Sequence, residues 1–175
     1  MRAYATEQQN TANTASSFTI GLAEQKITMA PNKLITLALG SCIGLVLYDS
    51  AVKIGGMVHI MLPSAMPGAV VTNRYKFADT AIADLLTLMC AAGAARPRIK
   101  AKMAGGAHMF KTTSTMDIMN VGQRNIAMCK KVLGEQNIAI ISEDTGGSNG
   151  RSIEFCCESG MLSVRTVSPK TIRLI

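Results

Sequence analysis

The sequence predicts a single α/β domain, an α/β sandwich of mixed, largely antiparallel sheet covered by helices. Short segments rich in Ile, Val and Thr lie between turn residues over residues 18–62 and again after residue 137, which is typical of strands. Two longer stretches, at residues 73–93 and 121–136, carry apolar residues at helical spacing. This order of strands and helices favours helices packed on a sheet rather than on each other.

Composition narrows the class of protein. The 175 residues are 48% hydrophobic but only 4% aromatic, so the core is built from aliphatic side chains and the twelve Met. No apolar run approaches the roughly 18 residues that span a bilayer, and the N-terminus lacks the apolar centre of a signal peptide, so a soluble, cytoplasmic protein is expected.

Five cysteines without metal or disulfide spacing are expected to be reduced. The net charge of +7 is compatible with an acidic partner, but the scattered aromatics argue against nucleic acid.

The chain begins with a predicted tail. Residues 1–16 are rich in Thr, Ala, Asn and Gln without a hydrophobic period, which indicates a flexible segment, and residues 17–175 are then the single folded domain. From Phe18 to Leu62, apolar segments broken by "APNK", "LGSC" and "DSAVK" predict two or three strands in a hairpin system. The first helix is predicted between Asn73 and Gly93, with a buried face of Ala78, Ile82, Leu85, Leu86 and Met89.

The next segment, "RPRIKAKMAGGA", is predicted to be a strand. Extended backbone places Arg96, Arg98, Lys100 and Lys102 on one face, where they either attract an acidic partner or are simply solvated. A second helix is predicted over residues 121–136, capped by Asn120 and buried through Ile126, Cys129, Val132 and Leu133.

Three more strands are predicted in "IAIISEDT", "RSIEFCCE" and "MLSVRTV". The loop "DTGGSNGR" between the first two lacks the Gly-Lys-Ser/Thr ending of a phosphate loop, so a turn is favoured over a nucleotide site. Four of the five cysteines, Cys90, Cys129, Cys156 and Cys157, are expected to be structural.

A candidate nucleophile lies in "LITLALGSCIGLVLYD", where Cys42 follows a Gly-Ser pair. If residues 42–49 and 52–59 form a regular hairpin centred between Ser50 and Ala51, Cys42 lies directly opposite His59, with Cβ atoms about 5 Å apart. A neighbouring imidazolium lowers the pKa of a thiol, so this pairing predicts an ion pair at neutral pH. The alternative is that both residues only pack in the core, where unpaired cysteines and satisfied histidines are common.

Three further residues support this candidate site. Thr36, on the incoming strand, is predicted to orient the imidazole of His59, with a bend at Gly40 bringing its hydroxyl alongside. Gly40 and Ser41 are expected to leave backbone N–H groups free near the thiol as an oxyanion hole. The alternative for Thr36 is that it is simply a good strand former.

Several ordered blocks of this sequence resemble the bacterial chemoreceptor glutamine deamidases, the CheD family. The matching stretches, from Thr36 to Phe155, are "TLALGSCIGLVLYD", "KIGGMVHIMLP", "YKFADTAI", "MAGGAHMF", "NVGQRN" and "EDTGGSNGRSIEF". The departures are Ala38, where the family often has Gly, and His108, where Asn or Ser is commoner. For His108 we favour a position on a surface loop over a second catalytic histidine.

The resemblance implies hydrolysis of selected glutamine side chains in chemoreceptor cytoplasmic helices to glutamate, which supports chemotaxis adaptation. It implies a triad of Cys42 as nucleophile, His59 as general base and acid, and Thr36 as orienting partner, with a thioester intermediate and with no metal or cofactor. The implied fold is that of the catalytic domain of cytotoxic necrotizing toxins, and it places "DTGGSNGR" near the rim of the site. The implied partners are chemoreceptor cytoplasmic domains and a CheC-type response-regulator phosphatase, without membrane insertion.

Two alternatives to this function stay open. In the first, the chain acts mainly by binding a CheC-type phosphatase, although the intact Cys-His-Thr set argues against a purely binding role. In the second, the same thioester chemistry serves transglutamination or methylester hydrolysis, which product analysis on receptor peptides distinguishes.

Overall fold

The computed structural model describes residues 14–108, 121–166 and 170–175. These residues form two five-stranded sheets and two α-helices. The strands are β1 Ser17–Thr19, β2 Gln25–Met29, β3 Lys33–Leu39, β4 Ile43–Asp49, β5 Ile54–Ile60, β6 Lys100–Gly105, β7 Ile140–Thr145, β8 Arg151–Cys156, β9 Leu162–Thr166 and β10 Thr171–Leu174, and the helices are α1 Ala78–Ala91 and α2 Val121–Glu135. Neither helix has both the length and the apolar character that crossing a membrane requires.

Each sheet is mixed and mostly antiparallel. The first sheet has the strand order β1-β3-β8-β9-β10, and the second has the order β2-β5-β4-β6-β7. The pairs β1–β3 and β6–β7 are parallel, and the other described pairs are antiparallel. The α/β class is confirmed, and the arrangement is compatible with the predicted sandwich, although the strands divide between two sheets.

The core has two layers, one on each face of the second sheet. The helices pack on its outer face, where Leu85 of α1 and Leu133 of α2 join β5 through Val58. The first sheet packs on its inner face, where Phe155 of β8 meets Met57 of β5. Every residue of β4 and β5 is buried, because both faces of these strands are covered. This double burial explains why their sequences are nearly continuous apolar runs.

Both predicted helices are present. The predicted buried face of α1 is buried throughout, and Gly93 follows the helix with φ of +104°, a conformation that favours glycine. Cys129, Val132 and Leu133 are buried on α2, and Ile126 is partly buried against the same cluster. All five cysteines are free thiols. Asn120, the predicted cap of α2, and residues 1–13 of the predicted tail lie outside the described residues.

The predicted basic face is wrong. The segment Arg96–Arg98 forms a short 3-10 helix, since Pro97 lacks the N–H that a strand ladder needs. Arg98 pairs with the buried carboxylate of Asp49, with Nη2 and Oδ2 2.7 Å apart. Lys102 is buried and donates to two backbone carbonyls. These cations therefore do not share one exposed surface.

The register of the β4–β5 hairpin also differs from the predicted one. Gly44, rather than Cys42, lies opposite His59. The shift is two residues along the chain, and side chains alternate between the faces of a strand with a period of two. Cys42 therefore keeps the predicted face but is diagonal to His59 instead of directly opposite.

The loop between the two strands causes this shift. Asp49 pairs with Ile54, so residues 50–53 form the loop in place of a two-residue turn. The carboxylate of Asp49 accepts the Ala51 N–H at 3.1 Å, and Lys53 adopts a left-handed φ of +51°. A local side-chain hydrogen bond thus selects a longer turn than strand periodicity alone predicts.

Candidate active site

His59 and Thr36 meet in the space between the two sheets. His59, on β5, is 2% exposed, and Thr36, on β3, is fully buried. Oγ1 of Thr36 lies 2.8 Å from Nδ1 of His59 and 2.8 Å from the backbone oxygen of Ile20. The single hydroxyl hydrogen is donated to Ile20, so the oxygen accepts the Nδ1–H of His59. This contact selects the tautomer of His59 that is protonated at Nδ1.

The second ring nitrogen of His59 is left without a proton. Nε2 is buried and has no hydrogen-bond partner among the described residues. Burial also lowers the pKa of His59, so the ring is neutral at neutral pH. A buried histidine therefore presents an unpaired basic nitrogen, which is the arrangement that a general base requires.

Cys42 lies immediately before β4, on the same side of the second sheet as His59. Its side chain is partly buried against the cluster between the sheets. Gly44, two residues later, is the direct partner of His59. Diagonal neighbours of this kind in an antiparallel pair are about 7–8 Å apart, which long side chains can bridge. Gly44 itself carries no side chain, and Ile153 and Leu39 of the first sheet pack over it.

The resting thiol and imidazole do not form the predicted ion pair, since Nε2 of His59 has no hydrogen-bond partner among the described residues. Burial raises the pKa of the Cys42 thiol, and burial lowers the pKa of His59. Both shifts favour the neutral forms, because a low-dielectric environment disfavours either charge. The free site therefore holds a thiol and a neutral imidazole, and the proton must move when the thiol reacts.

The chain bends at residues 40–42, as predicted for Gly40, and β3 is already distorted before this bend, at Ala38. The β3–β8 register shifts between Thr36 and Leu39, which marks a bulge, and Ala38 has a left-handed φ of +57°. Leu39 is thereby fully buried between the sheets. Because this conformation favours glycine, alanine at this position is strained.

Gly44 permits the close approach of the two sheets at the candidate site. A Cβ atom on Gly44 would lie 2.5 Å from Cδ1 of Ile153, 2.9 Å from Cδ1 of Leu39 and 3.2 Å from Cγ2 of Thr36. The first two distances are shorter than any normal carbon contact, and the third involves the residue that holds His59. A side chain here would therefore disturb the contact between Thr36 and His59.

The variant Gly44→Ala is expected to lose about 1–3 kcal/mol of stability, the usual cost of overpacking a core. Gly134→Ala is the matched control, since a Cβ on Gly134 meets nothing within 4 Å and alanine favours a helix. Urea denaturation measures both. Equal stabilities of the two variants would contradict the close packing at Gly44.

The segment that precedes β4 is held by backbone hydrogen bonds. The N–H of Gly106 donates to the oxygen of Cys42, and the N–H of Ala107 donates to the oxygen of Gly40, both at 2.8 Å. Within residues 14–108, 121–166 and 170–175, the N–H groups of Ser41 and Cys42 donate to no acceptor. These two donors are available to stabilise negative charge that develops beside the thiol.

The Gly-rich loop after β7 is hydrogen-bonded to the end of β6 and to the segment that follows it. Its Gly146 N–H donates to the oxygen of Gly105 at 2.9 Å, and its Gly147 oxygen accepts the N–H of His108 at 2.8 Å. Arg151, at the start of β8, links the end of β6 to the Gly-rich loop. Its guanidinium donates to the backbone oxygen of Gly105 at 3.1 Å and to the backbone oxygen of Gly146 at 2.7 Å. His108 itself is exposed, as favoured above.

Asn125 is a site residue that the sequence reasoning missed. It lies on α2, is fully buried, and its Nδ2 donates to the backbone oxygens of Ser41 and Met61, both at 2.9 Å. The available signal was a polar residue at an apolar position, because Asn125 falls on the buried stripe of α2 with Cys129.

Comparisons with known proteins show the family of this chain. A family model described as CheD chemotactic sensory transduction matches residues 61–166. The probable chemoreceptor glutamine deamidase CheD of Clostridium novyi is 53% identical over 148 residues, which cover 85% of this chain and 91% of that protein. The chain belongs to the CheD family. The CheD proteins of Halalkalibacterium halodurans and Bacillus subtilis, both named chemoreceptor glutamine deamidase, are 51% and 48% identical, over 85% of this chain and 92% and 90% of their own lengths.

The CheD family model matches only some of the residues that form the candidate site. It begins at Met61, two residues after His59, and includes Gly105, Asn125 and the Gly-rich loop. Thr36, Cys42 and His59 precede it. The family model therefore does not itself contain these three residues, and their roles rest on the sequence pattern and on the geometry described above.

Proposed function

We propose that this chain hydrolyses glutamine side-chain amides in the cytoplasmic domains of bacterial chemoreceptors, giving glutamates, and so acts as a protein-glutamine glutaminase in chemotaxis adaptation. The names of the relatives support the substrate class. One contact carries the chemistry, the 2.8 Å hydrogen bond between Oγ1 of Thr36 and Nδ1 of His59. It leaves an unpaired basic nitrogen on the face that Cys42 shares.

Acylation starts when a glutamine amide lies beside Cys42. Nε2 of His59 accepts the thiol proton as the sulfur attacks the amide carbon, so a C–S bond forms and the carbonyl electrons move onto oxygen. The N–H groups of Ser41 and Cys42 stabilise this oxyanion. When the tetrahedral intermediate collapses, the C–N bond breaks and His59 returns its proton to the departing ammonia. A thioester remains on Cys42.

Deacylation uses the same imidazole. Nε2 of His59 accepts a proton from water as the water oxygen attacks the thioester carbon. Collapse of the second tetrahedral intermediate breaks the C–S bond, and the protonated imidazole returns the proton to the sulfur. The products are glutamate and the free Cys42 thiol. All of these steps use groups of the protein, the substrate and water.

Thr36 acts through His59. By accepting the Nδ1–H, its hydroxyl oxygen keeps Nε2 in the basic form and stabilises the imidazolium that forms in each step. Because the resting pair is neutral, the proton transfer to His59 is part of the attack and does not precede it. Orientation of the ring is therefore more important here than in a preformed ion pair.

Mass spectrometry tests the proposed function directly. A receptor cytoplasmic segment is incubated with the full chain, and its glutamine peptides are examined for conversion of amide to acid. Conversion with release of ammonia is expected. A thioester that instead transfers to an amine, or hydrolysis of glutamate methylesters alone, would reassign the reaction, and binding without any conversion would reject an enzymatic function.

Thr36→Val, which keeps the shape but removes the acceptor, is expected to lower kcat by about 10–100-fold, the usual loss when an orienting partner is removed. KM should change little, because Thr36 is fully buried and contacts His59 rather than the surface. Thr36→Ser retains the hydroxyl and should keep most of kcat. Equal kcat values for the two variants would show that the hydroxyl does not orient the ring.

Other parts of the proposal concern the setting of the site. We infer that residues 17–175 form one deamidase domain with the fold of the catalytic domain of cytotoxic necrotizing toxins, and that it acts in the cytoplasm. A CheC-type phosphatase is proposed as a second partner besides the chemoreceptors. Co-purification with such a phosphatase tests the last point.

A further inference from the structure

The side chain of Asn125 connects two strands beyond the end of their ladder. The β4–β5 pairing ends at Ile43 and Ile60. Ser41 and Met61 lie outside it, and Nδ2 of Asn125 donates to the backbone oxygens of both at 2.9 Å. One amide group therefore joins the residue before Cys42 to the residue two positions after His59.

Both hydrogens of this amide are engaged, so its role is limited. An Nδ2 group has two hydrogens, and Ser41 and Met61 accept one each. Asn125 therefore has no donor left for an oxyanion or a leaving group. Its contribution must be made through the backbone that it holds.

The position is an unusual one for a polar side chain. Asn125 is fully buried on the stripe of α2 that also carries Cys129, Val132 and Leu133, and its Oδ1 is buried without a partner among the described residues. An unpaired buried acceptor is unfavourable, and an apolar residue would avoid it. Core packing alone therefore does not explain the asparagine.

The start of α2 packs closely against the backbone of the segment that follows β6. A Cβ on Gly122 would lie 2.5 Å from the backbone oxygen of Gly106, so the helix and this segment are in close backbone contact. Gly106 in turn donates to the oxygen of Cys42. Asn125 thus projects from a helix that packs against the segment after β6, and that segment is hydrogen-bonded to Cys42.

We propose that Asn125 is a positioning residue that holds Cys42 at its working distance from His59. The inference deepens the proposed function and uses its reaction as one readout. The backbone hydrogen bonds of Gly106 and Ala107 hold the segment before β4 to the segment after β6, and the two hydrogen bonds of Asn125 hold it to Met61, close to His59 in the chain. Loss of the amide removes this second attachment and lengthens the path of the thiol proton to Nε2.

Steady-state kinetics and alkylation test the proposal with Asn125→Ala and Asn125→Leu in the full chain. Misplacement of a nucleophile by about 1 Å costs about 100-fold, so kcat is expected to fall by about 30–100-fold while KM stays within about threefold. Alkylation of Cys42 by iodoacetamide at neutral pH should slow by about tenfold, because its thiolate forms only with the help of His59. The exposed Cys90, followed by peptide mass spectrometry in the same sample, should react at an unchanged rate.

Cys129→Ala is the matched control. The substitution leaves a cavity on the same buried stripe of α2, and no hydrogen bond of the described residues joins Cys129 to residues 40–42. It should therefore lower stability while kcat and the Cys42 alkylation rate stay within about twofold. Folded Asn125 variants that behave like Cys129→Ala in both readouts would overturn the proposal.

Two safeguards separate the possible failures. If the wild-type chain does not convert receptor glutamine, the proposed function fails, but the alkylation rates still decide the role of Asn125. If neither Asn125 variant folds, NMR of the wild-type chain decides: both Asn125 amide hydrogens should be protected from exchange with solvent. Rapid exchange of these hydrogens would show that the double hydrogen bond does not persist, and the proposal would be rejected.

Discussion

Cys42→Ala is expected to reduce glutamine hydrolysis by about 10⁴-fold or more, to the background rate, because the proposed thioester forms on the sulfur of Cys42. The fold should survive. Cys42 is only partly buried, and removal of its sulfur should cost about 1 kcal/mol or less. Ammonia release measures the activity, and circular dichroism with thermal unfolding measures the fold.

Cys90→Ala is the matched control for this substitution. Cys90 is exposed on α1, away from the sheets, so its loss should leave the rate of ammonia release unchanged. Hydroxylamine provides a second readout, since it captures a thioester as a hydroxamate and frees the thiol. Ammonia release that persists in Cys42→Ala, or hydroxamate formation without Cys42, would eliminate the proposed nucleophile.

His59→Gln is expected to have the second largest effect. Loss of a general base costs about 10²–10⁴-fold, and the rate of the variant should then rise as pH increases, because the thiolate must form without help. Burial raises the pKa of Cys42, so this rise should extend above the ordinary thiol value of about 8.5. Rates over a wide pH range measure the shift.

The pH dependence of the wild-type activity should show the direction in which the pKa of His59 is shifted. Activity requires the neutral ring, and burial lowers the pKa of His59. Protonation therefore inactivates the enzyme only at low pH, and the acid limb of kcat/KM should lie below the ordinary histidine value of about 6.5. An acid limb above that value would contradict a buried, neutral base.

His108→Gln is the control for the second histidine. His108 is exposed after β6 and joins its surroundings through its backbone, so the variant should keep both the rate and the acid limb of the wild type. A shifted acid limb in His108→Gln would mean that the titrating group of the profile is not His59.

Local sequence predicted the helices and most strands well. Their apolar residues repeat with a period that matches one buried face, and packing against the second sheet buries that face as expected. The basic face failed because Pro97 interrupts the strand and because Arg98 and Lys102 have partners that lie far away in the chain. Residues 17–60 contain five strands, β1 to β5, where two or three were predicted, and β10 was missed, since all four of its residues are exposed and show no alternation.

The hairpin shows how far pattern reasoning reaches. Periodicity placed Cys42 and His59 on one face, and a shift of two residues preserved that result. The exact register depended on the hydrogen bond between Asp49 and Ala51, a feature of the turn that strand periodicity does not contain. The strand face on which Cys42 lies was therefore predictable, but the residue directly opposite His59 was not.

Sequence alone predicted the α/β class, the two amphipathic helices and the candidate site residues Thr36, Cys42 and His59, because these depend on local spacing and on residue type. Tertiary structure decided the rest. Only the packing of the first sheet on the second brings Thr36 to His59 and leaves Nε2 unpaired. The same packing buries Cys42 and His59, which favours the neutral form of each. Protonation state and tautomer arise from contacts between residues far apart in the chain and from exclusion of water. No single stretch of the sequence therefore determines either of them.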